Sequence, residues 1–197
     1  MTFTSVLKCH VETPTRAVSG IEVSVALTQA GEIALGYILR GELDRLLIPT
    51  PRTPCRRDGL WRHTCFESFI AVENSSAYLE FNFSPSGEWA AYAFRGYRDG
   101  GPIESDDLDP QIVVRRQAET LELSALIRLD RLSAIPSGAT IPLGVSAVVE
   151  ELDGSVSYWA LKHPPGKPDF HHPDNFILEI KPLIVAGSDA IAYTGKP

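Results

Sequence analysis

No apolar run in the 197 residues approaches the roughly 20 that span a bilayer, so no membrane helix and no membrane partner are expected. The opening Met1–Lys8 lacks the charged start and apolar middle of a secretory leader, and the expected location is cytoplasmic. Cysteine is scarce. Cys9, Cys55 and Cys65 are odd in number and lack metal-ligand spacing, which argues against a disulfide framework. Methionine is scarcer still. Met1 stands alone, which excludes a Met-ligated haem and leaves bis-histidine ligation open. Positive charge is in deficit, 18 Lys and Arg against 25 Asp and Glu, so no nucleic-acid partner is expected. There is no Gly-x-Ser-x-Gly elbow, no dinucleotide-binding glycine fingerprint and no Walker A sequence. Internal repeats and low-complexity segments are also missing.

What is present is a chain 44% apolar with 15 Pro and 15 Gly, in short alternating runs broken by turns. Strands are expected at 3–11, 21–27, 33–40, 64–70, 78–84, 89–95, 111–116, 120–127, 141–150, 155–161 and 176–181. They follow one another as hairpins without amphipathic helices between them. The expected fold is all-β, a two-sheet antiparallel β-sandwich with at most one short helix, at 129–135 and closed by Pro136, Ser137 and Gly138. Residues 1–186 read as a single domain and 187–197 as a loosely ordered tail.

The run from Trp61 to Arg95 organises the rest. In Tyr78–Ser84, Leu79, Phe81 and Phe83 alternate with Tyr78, Glu80, Asn82 and Ser84. A turn over Pro85–Glu88 with Ser84 facing Trp89 sets Phe83, Phe81 and Leu79 opposite Ala90, Tyr92 and Phe94. Asn82, Glu80 and Tyr78 then face Ala91, Ala93 and Arg95, so small residues leave a hollow above a polar floor. A second hairpin turns at Asp153-Gly154, setting Val148 opposite Trp159 and Val149 opposite Tyr158.

Glu67 falls beside Glu80 or Asn82, and such a pair can either hydrogen-bond sugar hydroxyls or cleave a glycoside. Trp61, Trp89, Trp159, Tyr97 and Tyr158 offer flat faces, with Glu67, Glu80, Asn82, Arg95, Arg98 and Lys162 as directional partners. The Pro-rich connection from Gly41 to Asp58 is a candidate lid. Adjacent His171 and His172 diverge in an extended loop, so a metal would need His63, His163 or Glu67 as well. The acids Glu104, Asp106, Asp107 and Asp109 do not match an EF-hand loop.

The segments Leu60–Phe69, Tyr78–Phe94, Tyr97-Arg98, Tyr158–His163 and Pro168–His171 together resemble the bacterial DOMON-like proteins, which are similar to family 9 carbohydrate-binding modules. The resemblance runs from about Ile21 to Lys181. It implies a β-sandwich with a ligand pocket on one sheet, in a superfamily that binds sugars or haem. It also implies that Trp61 and Trp159 sandwich a sugar ring, with Tyr158 as the alternative to Trp159. Glu67, Asn82 and Arg95 or Arg98 would surround the hydroxyls. The expected ligand-binding set is Trp61, Glu67, Glu80, Asn82, Arg95, Arg98, Trp159 and His163, with no cofactor and no metal. The expected function is non-catalytic binding of a sugar-like ligand. A carbohydrate-active enzyme using Glu67 and Glu80, or a haem or metal protein, is the alternative.

Overall fold

A computed structural model describes residues 2–28, 30–71, 73–105, 108–132 and 140–181. The expected tail at 187–197, the end of the expected helix at 133–135 with its closing turn, and Asp106 and Asp107 lie outside these residues. Within them are twelve strands: β1 (Thr2–Cys9), β2 (Val18–Leu27), β3 (Glu32–Gly41), β4 (Cys65–Ala71), β5 (Tyr78–Phe83), β6 (Trp89–Gly96), β7 (Asp99–Pro102), β8 (Gln111–Arg116), β9 (Thr120–Arg128), β10 (Ile141–Glu150), β11 (Val156–Ala160) and β12 (Leu178–Ile180). Helix among the described residues is limited to single 3-10 turns, Leu129–Arg131 being one.

The fold is an antiparallel β-sandwich. One sheet runs β1-β2-β3-β9-β8 and the other β7-β6-β5-β4-β10-β11-β1. β1 joins them, because Thr2–Leu7 pair with β2 while Lys8 and Cys9 pair with Ala160 and Trp159 of β11. The core lies between the sheets and follows the period-two alternation of both. Ile21, Val23 and Val25, with Ile33, Leu35 and Leu39, meet Phe66, Phe81, Phe83, Leu143, Val145 and Val149. Such fully buried side chains contribute roughly 1.5–3 kcal/mol each.

Both hairpins differ from the sequence expectation by one residue, for the same reason. Phe83 pairs with Trp89, and Glu150 with Val156. In the first loop Ser84 N–H donates to Glu88 O and Gly87 N–H to Ser84 O, both at 2.9 Å. In the second, Glu151 N–H donates to Ser155 O at 2.8 Å and Gly154 N–H to Glu151 O at 3.0 Å. Gly87 and Gly154 have φ of +90° and +86°, where an L side chain is strained. Each loop is a type I turn ending in a left-handed glycine that forms a bulge, and the extra residue shifts the register. Glu80 therefore pairs with Tyr92 and Asn82 with Ala90, so Tyr92 and Phe94 leave the core face while Trp89 and Ala91 enter it. Trp159 pairs with Ala147 and joins the core; Tyr158 pairs with Val148 on the outer face.

β4 and β5 are buried on both faces. Their outer face is covered by the segment after β11. Phe170 and Phe176 pack there against Phe69, Ala71, Tyr78 and Val148. Gly144 makes the close approach possible, since a Cβ on it would lie 2.9 Å from Phe176 Cδ1.

Candidate functional site

The cover is incomplete, and the gap is a cavity of about 550 Å³ on the outer face of β4, β5, β6, β10 and β11. Glu67 and Glu80 form its floor, only 3% and 5% exposed. Glu67 pairs with Asn82 across the β4–β5 ladder and Phe69 pairs with Glu80, so the two carboxylates are diagonal neighbours on adjacent strands. Tyr92 and Phe94 wall the β6 side, Val148 and Tyr158 the β10–β11 side, and Phe170 with His171 the covering segment.

Each carboxylate has little to stabilise its charge. Glu67 accepts a long bond of 3.4 Å from Ser146 Oγ, and Glu80 accepts one of 2.9 Å from Asn82 Nδ2. Burial, then the nearby Glu80, pushes Glu67 well above the ordinary carboxylate range, against the Ser146 bond and Arg98. Burial raises Glu80 to about 7, opposed by the Asn82 hydrogen bond and Arg98. The floor thus holds two carboxyl groups raised by burial, one of which titrates near neutrality. Asn82 is fully buried, and its Oδ1 finds no partner among the described residues.

The cations near the floor are engaged elsewhere or uncharged. Arg98 Nη2 donates to Asp169 Oδ1 at 2.9 Å, and Tyr97 O–H donates to Asp169 Oδ2 at 2.8 Å. Burial pushes the Asp169 carboxyl up, but these bonds outweigh it and hold the group below its ordinary value. Arg98 N–H donates to Tyr78 Oη at 3.0 Å, and the same hydroxyl is hydrogen-bonded to His171 Nδ1, 2.9 Å away. His171 Nε2 lies 3.7 Å from Glu80 Oε2, too far for a hydrogen bond. Burial, then Arg98, lowers His171 to about 4, so the ring is neutral at neutral pH and forms no ion pair with Glu80.

Trp61 stands at the rim, 48% exposed, on the 3-10 turn Leu60–Arg62. Left-handed Gly59 starts that turn, and its N–H donates to Tyr92 Oη at 3.2 Å, tying the rim to the wall. The Arg62 guanidinium lies over the Trp61 ring, 5.1 Å from its centroid.

Of the expected ligand-binding residues, Trp61, Glu67, Glu80 and Arg98 line the cavity. Asn82 lies beneath it and acts through Glu80. Three are placed elsewhere. Arg95 is on the opposite parity of β6 from Phe94 and pairs with Asp99 at 3.1 Å, its side chain 84% exposed. Trp159 is a core side chain whose Nε1–H donates to Ser157 Oγ at 2.9 Å. His163 contacts Lys8 O through Nε2 at 2.8 Å and packs edge-on against His10. No residue of the 41–58 connection lines the cavity. The end of the connection lies along the β5–β6 turn, with Arg52 N–H donating to Ser86 O and Arg57 N–H to Trp89 O. The histidines weighed as metal or haem ligands also separate, since His63 pairs with Glu150 at 2.7 Å and only His171 reaches the cavity. Among the described residues no three His, Cys, Asp or Glu side chains converge as a metal site would need.

Tyr92, Phe94 and Phe170 are lining residues that the sequence pattern missed. The signal for the first two was Gly87, since reading it as a bulge gives the correct β6 parity.

No protein-family model matches the chain, and no curated protein does. Its fold is similar to that of a solved structure from Bacteroides uniformis ATCC 8492, described as a candidate carbohydrate-binding protein. The TM-score is 0.63 and the identity 15%, over 88% of this chain and 83% of that one. A family 9 carbohydrate-binding module from Caldicellulosiruptor kristjanssonii, solved with glucose, aligns with a TM-score of 0.48 and 11% identity, over 89% and 83%. At 15% identity the likeness to the first of these is one of fold.

Proposed function

We propose that this chain binds a small, hydroxyl-rich ligand of the carbohydrate class in the cavity over β4 and β5, without transforming it. One observation carries the reading: two nearly buried carboxylates share a cavity floor with no charged partner bound to either. A buried acidic group without a cation costs stability, and such an arrangement is characteristic of a site built for a ligand. The cavity falls within the few hundred Å³ usual for small-molecule sites. Its aromatic walls suit the C–H faces of a sugar ring, and its acidic floor suits hydroxyl donors. The description of the B. uniformis protein agrees with this reading.

The test is a panel of mono- and disaccharides, neutral and amino-substituted alike, measured by thermal shift and calorimetry. A binding sugar is expected to raise Tm. Trp61→Ala, at a half-exposed rim position, is expected to weaken binding by about tenfold while the ligand-free Tm stays close to that of the parent. A panel without any stabilising sugar would remove the proposal.

A second reading is favoured by two carboxyl groups on neighbouring strands that burial raises above the ordinary range, since a glycosidase keeps its general acid protonated in this way beside a second carboxylate. Turnover of a chromogenic glycoside that Glu80→Gln abolishes would establish it in place of simple binding.

A further inference from the structure

The floor of the cavity is short of donors and rich in acceptors. Glu67 and Glu80 present carboxyl oxygens from neighbouring strands. Asn82 is fully buried and gives an amide N–H to Glu80, and Ser146 reaches Glu67 only at 3.4 Å. The Arg98 guanidinium is turned to Asp169, and His171 Nδ1 is engaged by Tyr78. Lys167 lines the cavity but is an exposed rim residue. Around this acidic floor stand Trp61, Tyr92, Phe94, Tyr158 and Phe170, whose ring faces attract a cation as well as C–H groups.

We propose that the group seated between Glu67 and Glu80 is a primary ammonium, so that the ligand is an amino sugar and not a neutral one. The inference rests on the carbohydrate reading and narrows it. An ammonium brings three N–H donors and a positive charge to two carboxyl groups that lack both. A hydroxyl brings one donor and no charge. In the ammonium complex both carboxyl groups are ionised, and the repulsion that each feels from the other is relieved by the cation between them.

This arrangement has a signature that a neutral ligand does not share. In the free protein burial holds Glu67 well above the ordinary carboxylate range, and Glu80 is largely protonated below pH 7. The charged and titratable groups facing them are Tyr37 on β3, Cys65 on β4, Tyr78 on β5, Tyr92 on β6, Arg98 after β6, and Lys167, Asp169 and His171 on the covering segment. Near pH 6 in the free site His171 is already neutral and Asp169 already ionised, and burial raises the Tyr37, Cys65, Tyr78 and Tyr92 groups further above that pH. An ammonium entering at about pH 6 therefore expels protons from the two carboxyl groups. A neutral sugar expels none.

The experiment is isothermal titration of the full chain at about pH 6 in two buffers of different ionisation enthalpy. The ligands are glucosamine and galactosamine, set against glucose, galactose and their N-acetylamino counterparts, with putrescine as an amine that is not a sugar. The expected result is binding of an amino sugar about tenfold or more tighter than its neutral counterparts, with release of close to one proton or more. Glu80→Gln is expected to lower that release, and the two-buffer comparison on the parent protein stands if the variant does not fold. Neutral sugars binding as tightly as amino sugars, or amino sugars binding without proton release, would overturn the ammonium seat while leaving carbohydrate binding intact. Putrescine binding with proton release while every sugar fails would keep the seat and remove the sugar. Failure of all ligands would remove both.

Discussion

Replacing Glu80 by Gln is expected to stabilise the ligand-free protein, and only above about pH 5. Glu80 has an ordinary value near 4.5 in the unfolded chain and one of about 7 in the folded protein. Below the lower value it is protonated in both states and contributes nothing. Between the two, folding must take up a proton, so the unfolded state binds fewer protons and stability falls as pH rises. Each pH unit of that interval costs about 1.4 kcal/mol, and the whole interval about 3 kcal/mol. Above about 7 the loss is complete and constant. Glu67 is shifted in the same direction, partly by the charge of Glu80, so the substitution relieves part of its cost too. Gln keeps an oxygen for the Asn82 amide, whose 2.9 Å bond to Glu80 survives the change. Urea unfolding of both proteins across pH 4 to 8 measures the effect. With slopes of about 1–3 kcal/mol per M, the variant midpoint should be on the order of 1–3 M higher at pH 8 and unchanged at pH 4. A difference that does not vary with pH, or a variant less stable at pH 8, would refute the claim that Glu80 is an unpaired buried acid.

Trp159→Ala should cost about 3–5 kcal/mol of stability in the same urea assay, because it empties a core position between the sheets. Tyr158→Ala, one residue away, should act mainly on ligand affinity, since its ring lines the cavity. Gly87→Ala and Gly154→Ala should each cost about 1–2 kcal/mol, because both glycines hold positive φ at the hairpin bulges. Gly20→Ala, where a Cβ meets nothing within 4 Å, should change stability by less than about 0.5 kcal/mol.

These substitutions also show what the sequence could and could not disclose. Alternation along one strand is a local signal, so the inward face of β5, with Leu79, Phe81 and Phe83, could be read directly, and Glu80 and Asn82 went to the other face with them. The partner strand is placed only through the loop, and a left-handed glycine adds a residue that alternation does not reveal. Both β6 and β11 consist of runs in which either parity is apolar. Trp89-Ala90-Ala91-Tyr92 and Tyr158-Trp159-Ala160 give no hydrophobic penalty for a slip of one residue. Their aromatic rings were therefore assigned to the wrong side. The sandwich class did not depend on register and was legible.

The covering segment was less legible still, because nothing periodic organises it. Its place over the sheet follows from Gly144, which admits Phe176, and from the Asn175 side chain, whose Nδ2 donates to Asp169 O within the segment. Those contacts bring Phe170 and His171 over two strands that a plain sandwich would leave wet. Burial of β4 and β5 on both faces is what changes the chemistry of Glu67 and Glu80. On a solvated sheet face the same carboxylates would be ordinary anions; under this cover, with no ion pair to a charged partner, burial pushes both away from their charged forms.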